Sequence, residues 1–419
     1  MQAGDDLFRR ESGRIVATLT RIFGTENLAL AEDVAQDVFC RALEVWKLRG
    51  VPSNPSAWFI TAAKRRAIDL LRRERRFRKF APDLDSLLAS EWTLTPTVNA
   101  AFSEEAIAND ELRMMFACCD PKLSEESRIA LILRLLCGFS TREVAHALLS
   151  TPAAMEKRIE RARKVLTQTG QLFDLVDAEL NRRVPAVHRA LYLLFSEGYH
   201  ASSESPVRRE LCREAMRLAA ALATSATVAS AASDALCALM WLDAARLGSR
   251  VDANGDLVSL DEQDRSRWNR AMIAKGKEFL KRSATGEVSA YHLEATIAAV
   301  HCSAEAFADT DWAQLARLYD ALLRLHPSPV VALNRAIAFG YAFGPRCGLD
   351  EIRTIAHGNR LAQYPFLPAA LAEFESRLGH FESARRHLHA AVALARNSAE
   401  SRFLERRLAA LEAAASLPV

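Results

Sequence analysis

At 419 residues the chain is too long for one ordinary domain, so two or three domains are expected. Half of its residues are hydrophobic, which provides for buried cores and excludes a mainly disordered chain. The net charge of +3 excludes a uniformly basic surface, so a binding site for a polyanion must come from basic residues concentrated in particular helices.

The composition predicts an all-α protein, because runs of β-branched residues are few and Ala, Leu, Arg and Glu are abundant. Charged residues interrupt the N-terminus, and no segment has the roughly 20 apolar residues of a membrane span, so neither a signal peptide nor a membrane partner is predicted. The eight cysteines are scattered apart from Cys118 and Cys119, which predicts buried, reduced thiols in a cytoplasmic protein. A redox role for that pair is the alternative.

Two amphipathic helices are predicted first, over residues 5–24 and 28–46. In the second, apolar residues recur every three or four positions and form one stripe. Asp33, Gln36 and Asp37 lie at i, i+3 and i+4 on another face, which is polar and available to a partner. With the helix that follows, these elements would form a small domain over residues 1–80.

A loop over residues 48–56, marked by Pro, Gly and Asn, leads into a strongly basic helix. Its residues 64–79 include nine basic and two acidic side chains, opposite a stripe that contains Ala63 and Leu71. Such a helix suits a phosphate backbone, and Trp58 and Phe59 at its start could stack on unpaired bases. Each piece alone also fits a solvated surface; their order favours nucleic-acid binding.

The periodicity fades over residues 81–103, which predicts a mobile, slightly acidic linker. A second helical domain is predicted over residues 104–170, with Ser124 capping one helix and Ser140 with Glu143 forming a capping box for the next. Thr151 followed by proline starts a third helix, whose residues 155, 159, 162 and 166 would face the core. Its basic outer face predicts the recognition helix of a helix–turn–helix. A helical hairpin with a solvated charged face is the alternative.

Residues 171–419 are predicted to be helical throughout, with a repeat in the last third. Ala372, Ala384 and Ala391 fall at the small-residue spacing of a tetratricopeptide unit, and Gly379, Phe381 and Leu388 also fit it. A weaker copy contains Ala336 and Gly348. Stacked helix pairs of this kind build an array with a concave surface.

The segments DVAQDVFCRALEVW and PSAWFITAAKRRAIDLLRR resemble region 2 of the extracytoplasmic-function (ECF) sigma factors of the sigma-70 family. That resemblance implies that Asp33, Gln36 and Asp37 contact core RNA polymerase at the coiled coil of its β′ subunit. The β subunit is predicted as a further partner of the chain. It also implies that the loop captures a flipped base of the −10 element, that Trp58 supports the loop, and that basic residues touch the DNA backbone. The −10 set is Leu48, Arg49, Asn54, Trp58, Lys64, Arg65, Arg66, Arg72 and Arg73.

Residues 104–170 resemble sigma region 4, whose recognition helix reads the −35 element of promoter DNA. By that match Glu156, Lys157 and Arg161 face base edges, Arg158 and Arg163 hold phosphates, and Thr151 lies near the backbone. Phosphate contacts position such a protein, whereas base contacts specify the sequence.

Further segments, among them RRVPAVHRALYLLFSEGYHAS, resemble the ECF subgroup that carries a tetratricopeptide-like C-terminal extension. The resemblance then covers nearly the whole chain. Because so large a helical array is covalently attached, we expect the extension to regulate the factor or to dock on polymerase, with a further protein or ligand as its partner. One departure is visible: the family usually has C-C-H-P before region 4, whereas this chain has Asp120 in place of the histidine.

A stand-alone helix–turn–helix regulator with a repeat-type sensor domain is the alternative function, and it would have no use for the polar face of the second helix. An enzyme has little support, because no nucleophile–base pair, metal-ligand spacing or phosphate loop is present. The sequence therefore predicts no catalytic residue, no metal and no cofactor.

Overall fold

The computed structural model describes residues 2–74, 91–148, 150–169, 177–200, 207–356 and 361–415. Regular structure in these residues is helical, apart from one isolated β-bridge between Val251 and Leu257. This agrees with the predicted all-α class. The chain divides into two compact units, Met1–Leu194 with Thr224–Val228 and Phe195–Ala223 with Ala229–Val419.

The first unit contains both predicted sigma regions. Within it a 3-10 turn at Thr25–Asn27 follows the first helix, and a π-helical segment at Ile132–Leu136 extends the sixth. Its helices are α1 (Gln2–Phe23), α2 (Leu28–Arg49), α3 (Pro55–Glu74), α4 (Glu91–Ala101), α5 (Glu104–Cys118), α6 (Glu125–Leu131), α7 (Thr141–Ala147), α8 (Pro152–Thr169) and the start of α9 (Asp177–Tyr199).

Helix α1 is the centre of the first unit. Its residues 15–20 are all buried, including Thr18 and Thr20, whereas a surface helix would expose part of each turn. Elements from both predicted regions contact it, namely α2 and α3 from the first region and α5 and the π-helical segment from the second. The two regions therefore share one core in this unit.

Gly13 allows the closest approach in that core. A Cβ atom at this position would lie 2.1 Å from the carbonyl oxygen of Leu136 at the end of the π-helical segment. Because backbone atoms cannot move aside as a flexible side chain can, any larger residue would push α1 and this segment apart. Gly13 thus has a packing role that its position in a helix did not indicate.

The structure differs from the predicted linker over residues 81–103. Residues 81–90 lie outside the described part, but Glu91–Ala101 form helix α4 in spite of Pro96, and Leu94 and Val98 are buried. Pro96 is the sixth residue of this helix, so it removes one main-chain hydrogen bond, and the burial of Leu94 and Val98 offsets that loss. The absence of a long periodic pattern hid this short helix.

Helix α9 joins region 4 to the rest of the chain. Arg183 forms an ion pair of 3.2 Å with Asp120 and donates to the carbonyl oxygen of Phe116 at 3.3 Å. Both side chains of the pair are nearly buried, with 15% and 6% exposure. Asp120 lies where the family usually has histidine. Its carboxylate in region 4 therefore binds the guanidinium of Arg183 in the helix that follows.

The second unit consists of helices in which consecutive members pack in pairs. After the end of α9 they are α10 (Arg209–Thr224), α11 (Ala231–Ala244), α12 (Arg270–Arg282), α13 (Ala290–Ser303), α14 (Trp312–Leu325), α15 (Pro329–Phe343), α16 (Pro345–Ala356), α17 (Phe366–Arg377), α18 (Phe381–Ala393) and α19 (Ser398–Ala415).

Small residues lie at the helix contacts of the predicted repeat. Ala372, Ala384 and Ala391 are buried in the packing of α17, α18 and α19, and Gly379 has a positive φ of 79° in the turn between α17 and α18. A left-handed backbone at this turn favours glycine. Phe381 differs from the expectation, since it is 39% exposed.

The cysteines follow the predicted pattern only in part. Cys118 and Cys119 are fully buried, and burial raises the pKa of the Cys119 thiol to about 12. A thiol with so high a pKa forms almost no thiolate near pH 7, which makes it a poor nucleophile. Cys40 and Cys347 are exposed.

Among the residues that the structure describes, no helix is both long and apolar enough to cross a membrane.

The carboxyl group of Asp110 on α5 is buried in the first unit, with one oxygen 3.9 Å from the guanidinium of Arg21. Burial raises its pKa to about 7 from the ordinary 3.8, and the nearby arginines offset only part of this effect. The folded chain therefore holds a proton that the unfolded chain releases between about pH 4 and 7, so the group stabilises the fold less as the pH rises through this range.

We expect Asp110→Asn to gain stability over the wild type as the pH rises from 5 to 8, because the buried charge is removed. The gain should be on the order of 1 kcal/mol or more, measured by urea denaturation. Asp69→Asn on the exposed side of α3 is the matched control and should show no such gain. Parallel pH profiles for wild type and Asp110→Asn would contradict this account.

Candidate nucleic-acid interface

Helix α2 presents the predicted polymerase-binding face. Val34, Ala35 and Val38 are buried, and this apolar stripe fixes the rotation of the helix. Asp33, Gln36 and Asp37 are consequently all exposed. The structure brings them together on one face, as the spacing predicts.

Asp37 also contacts the predicted DNA-binding helix. Its carboxylate lies 3.3 Å from the guanidinium of Arg66 on α3, with both side chains substantially exposed. An exposed pair of this kind contributes little stability and is easily exchanged for another partner.

The predicted loop over residues 48–56 is shorter in the structure. Leu48 and Arg49 belong to the last turn of α2, which ends before Gly50 with its φ of 79°, and Pro55 already begins α3. The side chain of Asn54 accepts a hydrogen bond of 3.0 Å from the amide of Ala57. An asparagine cap followed by proline starts a helix efficiently, which explains the early start of α3.

Apolar side chains at this loop face solvent. Leu48 is 85% exposed and Val51 is 66% exposed. Large aliphatic side chains that lie close together in solvent often mark a surface that a partner covers. Beside them Ser56 donates a 3.0 Å hydrogen bond to Glu11, a residue of α1 that is 1% exposed. The loop therefore has an anchored base and an apolar tip.

Three aromatic rings of α2 and α3 contact one another. Trp58 is half-buried, and its ring centroid lies 5.6 Å from that of Trp46 on α2 in an edge-to-face arrangement. Phe59 is buried, with its ring 5.2 Å from Trp46 and 5.8 Å from Trp58. Such contacts hold the rings in fixed orientations. The support of the loop by Trp58 stays a prediction.

The basic face of α3 is continuous up to the end of the described helix. Arg65, Arg72 and Arg73 are exposed, whereas Lys64 and Arg66 are half-buried beside the body of the unit. The remaining basic residues of this run, from residue 75 onward, lie outside the described part.

The helix–turn–helix forms with the predicted caps. The amide of Ser140 donates to Glu143 at 2.8 Å, while the Glu143 amide donates to the Ser140 hydroxyl at 3.3 Å, so the capping box at the start of α7 is complete. Thr151 accepts from the amide of Ala154 at 3.3 Å and caps α8. These bonds satisfy amides that would otherwise lack partners at the helix starts.

Helix α8 has the predicted division into buried and exposed faces. Its core residues are Met155, Ile159, Ala162 and Leu166, which are at most 4% exposed. Thr151, Glu156, Lys157 and Arg161 are exposed, and Lys164 pairs with Glu160 at 2.9 Å. The outer face can therefore reach a partner along its whole length.

Two arginines of this helix are engaged by acids. Arg158 lies 3.0 Å from Glu126, an exposed residue at the start of α6. Arg163 pairs with Glu32 of α2, and Arg134 reaches the same carboxylate at 3.2 Å. Burial raises the pKa of Glu32, and the two guanidinium groups oppose that shift.

Glu32 was not found by sequence reasoning. It is the residue before Asp33, but its side chain is only 11% exposed and points toward region 4 rather than along the polar face. Its partner Arg163 is 131 positions away, so no local spacing could have indicated the pair. A cavity of about 670 Å³ adjoins it, lined by Gln36 and Phe39 of α2 and by Thr141 and Glu143 of α7.

No group of three or more His, Cys, Asp or Glu residues suited to a metal ion occurs in the described part of the chain.

Three protein families match separate parts of this chain. Sigma-70 region 2 matches residues 7–77 and Sigma-70, region 4 matches residues 113–166. A family of unknown function, DUF6596, matches residues 183–284. The two sigma matches include α2 with α3 and the helix–turn–helix respectively.

Individual relatives agree with these matches. An uncharacterized protein of Rhizobium meliloti is 36% identical over 398 residues, which are 94% of this chain and 92% of the relative. The ECF RNA polymerase sigma factor SigL of Mycobacterium tuberculosis is 30% identical over 148 residues, 35% of this chain and 78% of SigL. The ECF RNA polymerase sigma factor SigX of Bacillus subtilis is 27% identical over 154 residues, 36% of this chain and 76% of SigX. No solved structure matches the chain.

The matched regions, the exposed polar face of α2, the basic α3 and the helix–turn–helix lead to one conclusion: the chain belongs to the ECF RNA polymerase sigma factors, with a helical C-terminal extension.

Proposed function

We propose that this sigma factor uses two surfaces of its first unit, one for polymerase and the −10 element and one for the −35 element. As an ECF sigma factor the chain binds core RNA polymerase and directs promoter-specific initiation of transcription. The assignment of residues rests on one observation. Asp33, Gln36 and Asp37 are exposed on a helix whose opposite side is buried in the core.

The polymerase contact is assigned to the exposed face of α2. Two carboxylates and an amide form a compact acidic patch that suits a basic partner surface, in keeping with electrostatic complementarity at interfaces. Arg66 is near enough to Asp37 to compete with polymerase for this carboxylate. Polymerase binding would then free the arginine to contact DNA.

The −10 contact is assigned to the apolar loop tip and the basic face of α3. Leu48 and the aromatic rings below it offer an apolar surface for an unpaired base, while Asn54 is committed to capping α3. Arg65, Arg72 and Arg73 are exposed and suit the phosphates of the strand that passes them.

The −35 contact is assigned to α8. Glu156, Lys157 and Arg161 are exposed near the start of the helix, where a recognition helix reaches base edges. Arg158 and Arg163 can bind phosphate only after their ion pairs with Glu126 and Glu32 are broken. Their net contribution to DNA affinity is therefore smaller than that of an arginine without a carboxylate partner.

The chain contributes no bond-making chemistry in this proposal; the polymerase supplies catalysis. The extension is proposed to regulate the factor or to dock on polymerase. This proposal is supported by helix α9, which leads from region 4 into the extension. Arg183 of α9 forms an ion pair with Asp120 and a hydrogen bond to the carbonyl oxygen of Phe116, both in region 4.

The double variant Asp33→Lys with Gln36→Ala should lose binding to core RNA polymerase by at least about tenfold, because it reverses the charge of the α2 face. Both residues are exposed, so the melting temperature should change little. Glu105→Lys, at an exposed position of α5 outside this face, is the matched control and should bind as the wild type does. Equal binding by the double variant and Glu105→Lys would refute the assigned face.

Arg161→Ala should leave polymerase binding intact but reduce discrimination for the −35 element by about 1–3 kcal/mol, since one base contact is lost. The measurement is transcription by the holoenzyme from promoters with single substitutions in that element. Lys164→Ala, whose side chain is paired with Glu160, serves as the comparison and should weaken all promoters slightly and equally. If Arg161→Ala kept the wild-type ranking of every promoter, the recognition face would be placed wrongly.

A chain that ends at residue 200 should retain α9 and its contacts with region 4. We expect it to bind polymerase but to differ from the full chain in promoter output, because the regulatory or docking surface has been removed. Circular dichroism and thermal melting establish that the shorter chain is folded. Identical promoter output and identical regulation would exclude a role of the extension in initiation.

A further inference from the structure

The second unit contains a cavity of about 600 Å³ between α10, the end of α11 and the segment that begins α12. This volume is in the range of sites for single small organic molecules. All residues that line it fall between positions 209 and 272, inside the stretch matched by DUF6596. The polymerase and promoter surfaces assigned above lie in the first unit.

The rim of this cavity is positively charged. Four arginines line it, three from α10 and one from the segment before α12: Arg209, Arg213, Arg217 and Arg267. Among the lining residues that the structure describes, none is an aspartate or a glutamate.

Two of these guanidinium groups have short contacts nearby. The buried Glu214 lies 2.9 Å from Arg217, and Arg209 donates to the carbonyl oxygen of Leu247 at 3.5 Å. Arg213 and Arg267 are exposed, so their charged groups face solvent at the entrance.

The interior of the cavity is apolar. Met216, Trp241 and Met272 line it together with several alanines and Leu247. Methionine side chains adapt to irregular shapes, and the indole ring provides a flat apolar wall. The Nε1–H group of Trp241 is buried and has no hydrogen-bond partner within the described residues.

We propose that this cavity binds a small amphiphilic anion, with its carboxylate, sulfonate or phosphate group between the rim arginines and its apolar body against Trp241 and the methionines. Arginine binds such groups through two parallel hydrogen bonds, which a single lysine could not provide. The extension would then sense a ligand of this class.

The binding test uses the purified full-length chain and two fluorescent probes of nearly the same shape. One is 8-anilinonaphthalene-1-sulfonate, which carries a negative charge, and the other is the neutral N-phenyl-1-naphthylamine. We expect saturable binding of about one sulfonate per chain, at least tenfold tighter than the neutral probe. Decanoate should displace the sulfonate, whereas decanol should not.

The variant Arg213→Gln with Arg267→Gln should bind the sulfonate at least tenfold more weakly, with an unchanged melting temperature because both residues are exposed. The matched control is Arg385→Gln with Arg386→Gln, two exposed arginines of α18 that should leave binding unchanged. Ala220→Gln, which narrows the cavity without altering its charge, should weaken both probes. All three measurements are independent of transcription.

The proposal is overturned if the arginine variant binds the sulfonate as tightly as the control does, or if the two probes bind equally. It is also overturned if a polyglutamate peptide displaces the sulfonate better than decanoate, because the rim would then serve an acidic protein segment rather than a small amphiphile.

Discussion

The burial of α1 on all sides is the constraint on which the first unit depends. A helix with six consecutive buried residues, 15–20, needs partners around its whole circumference, and α2, α3, α5 and the π-helical segment supply them. Burying one large aliphatic side chain contributes about 1.5–3 kcal/mol, whereas a partly exposed ion pair contributes about 1 kcal/mol or less. The shared apolar core therefore holds the two sigma regions together more strongly than the pair of Glu32 with Arg163. If the two regions separate on polymerase, the free energy of that binding must offset the cost of exposing the buried residues of α1 to water.

Electrostatics then distinguishes the residues that are ready for DNA from those that are not. Lys157 and Arg161 are exposed on α8, and within the described residues neither has a carboxylate partner. Arg163 is held at Glu32, next to the face assigned to polymerase. Glu32 thus connects the α2 face with the recognition helix through one carboxylate. With the roles proposed for these two helices, this ion pair would couple polymerase binding to promoter reading.

Features set by local periodicity and capping could be predicted from the sequence. The rotation of α8 followed from the spacing of Met155, Ile159 and Ala162, and its start followed from Thr151 with proline. Features set by contacts between distant segments could not be predicted: the helix at Glu91–Ala101 is stabilised by tertiary packing, and the partners of Glu32 come from region 4. The predicted loop was too long by two residues at each end, because Gly50 ends α2 and Asn54 caps α3. The arginine cavity of the extension was also missed, since its lining is spread over three segments.

The most direct test of the central claim is run-off transcription from genomic fragments with core RNA polymerase and the purified full-length chain. The account predicts discrete start sites that appear only when the chain is added, each preceded by a −10 and a −35 element at a constant spacing. Binding of the chain to duplex DNA without polymerase, together with no new start site on any fragment, would contradict it.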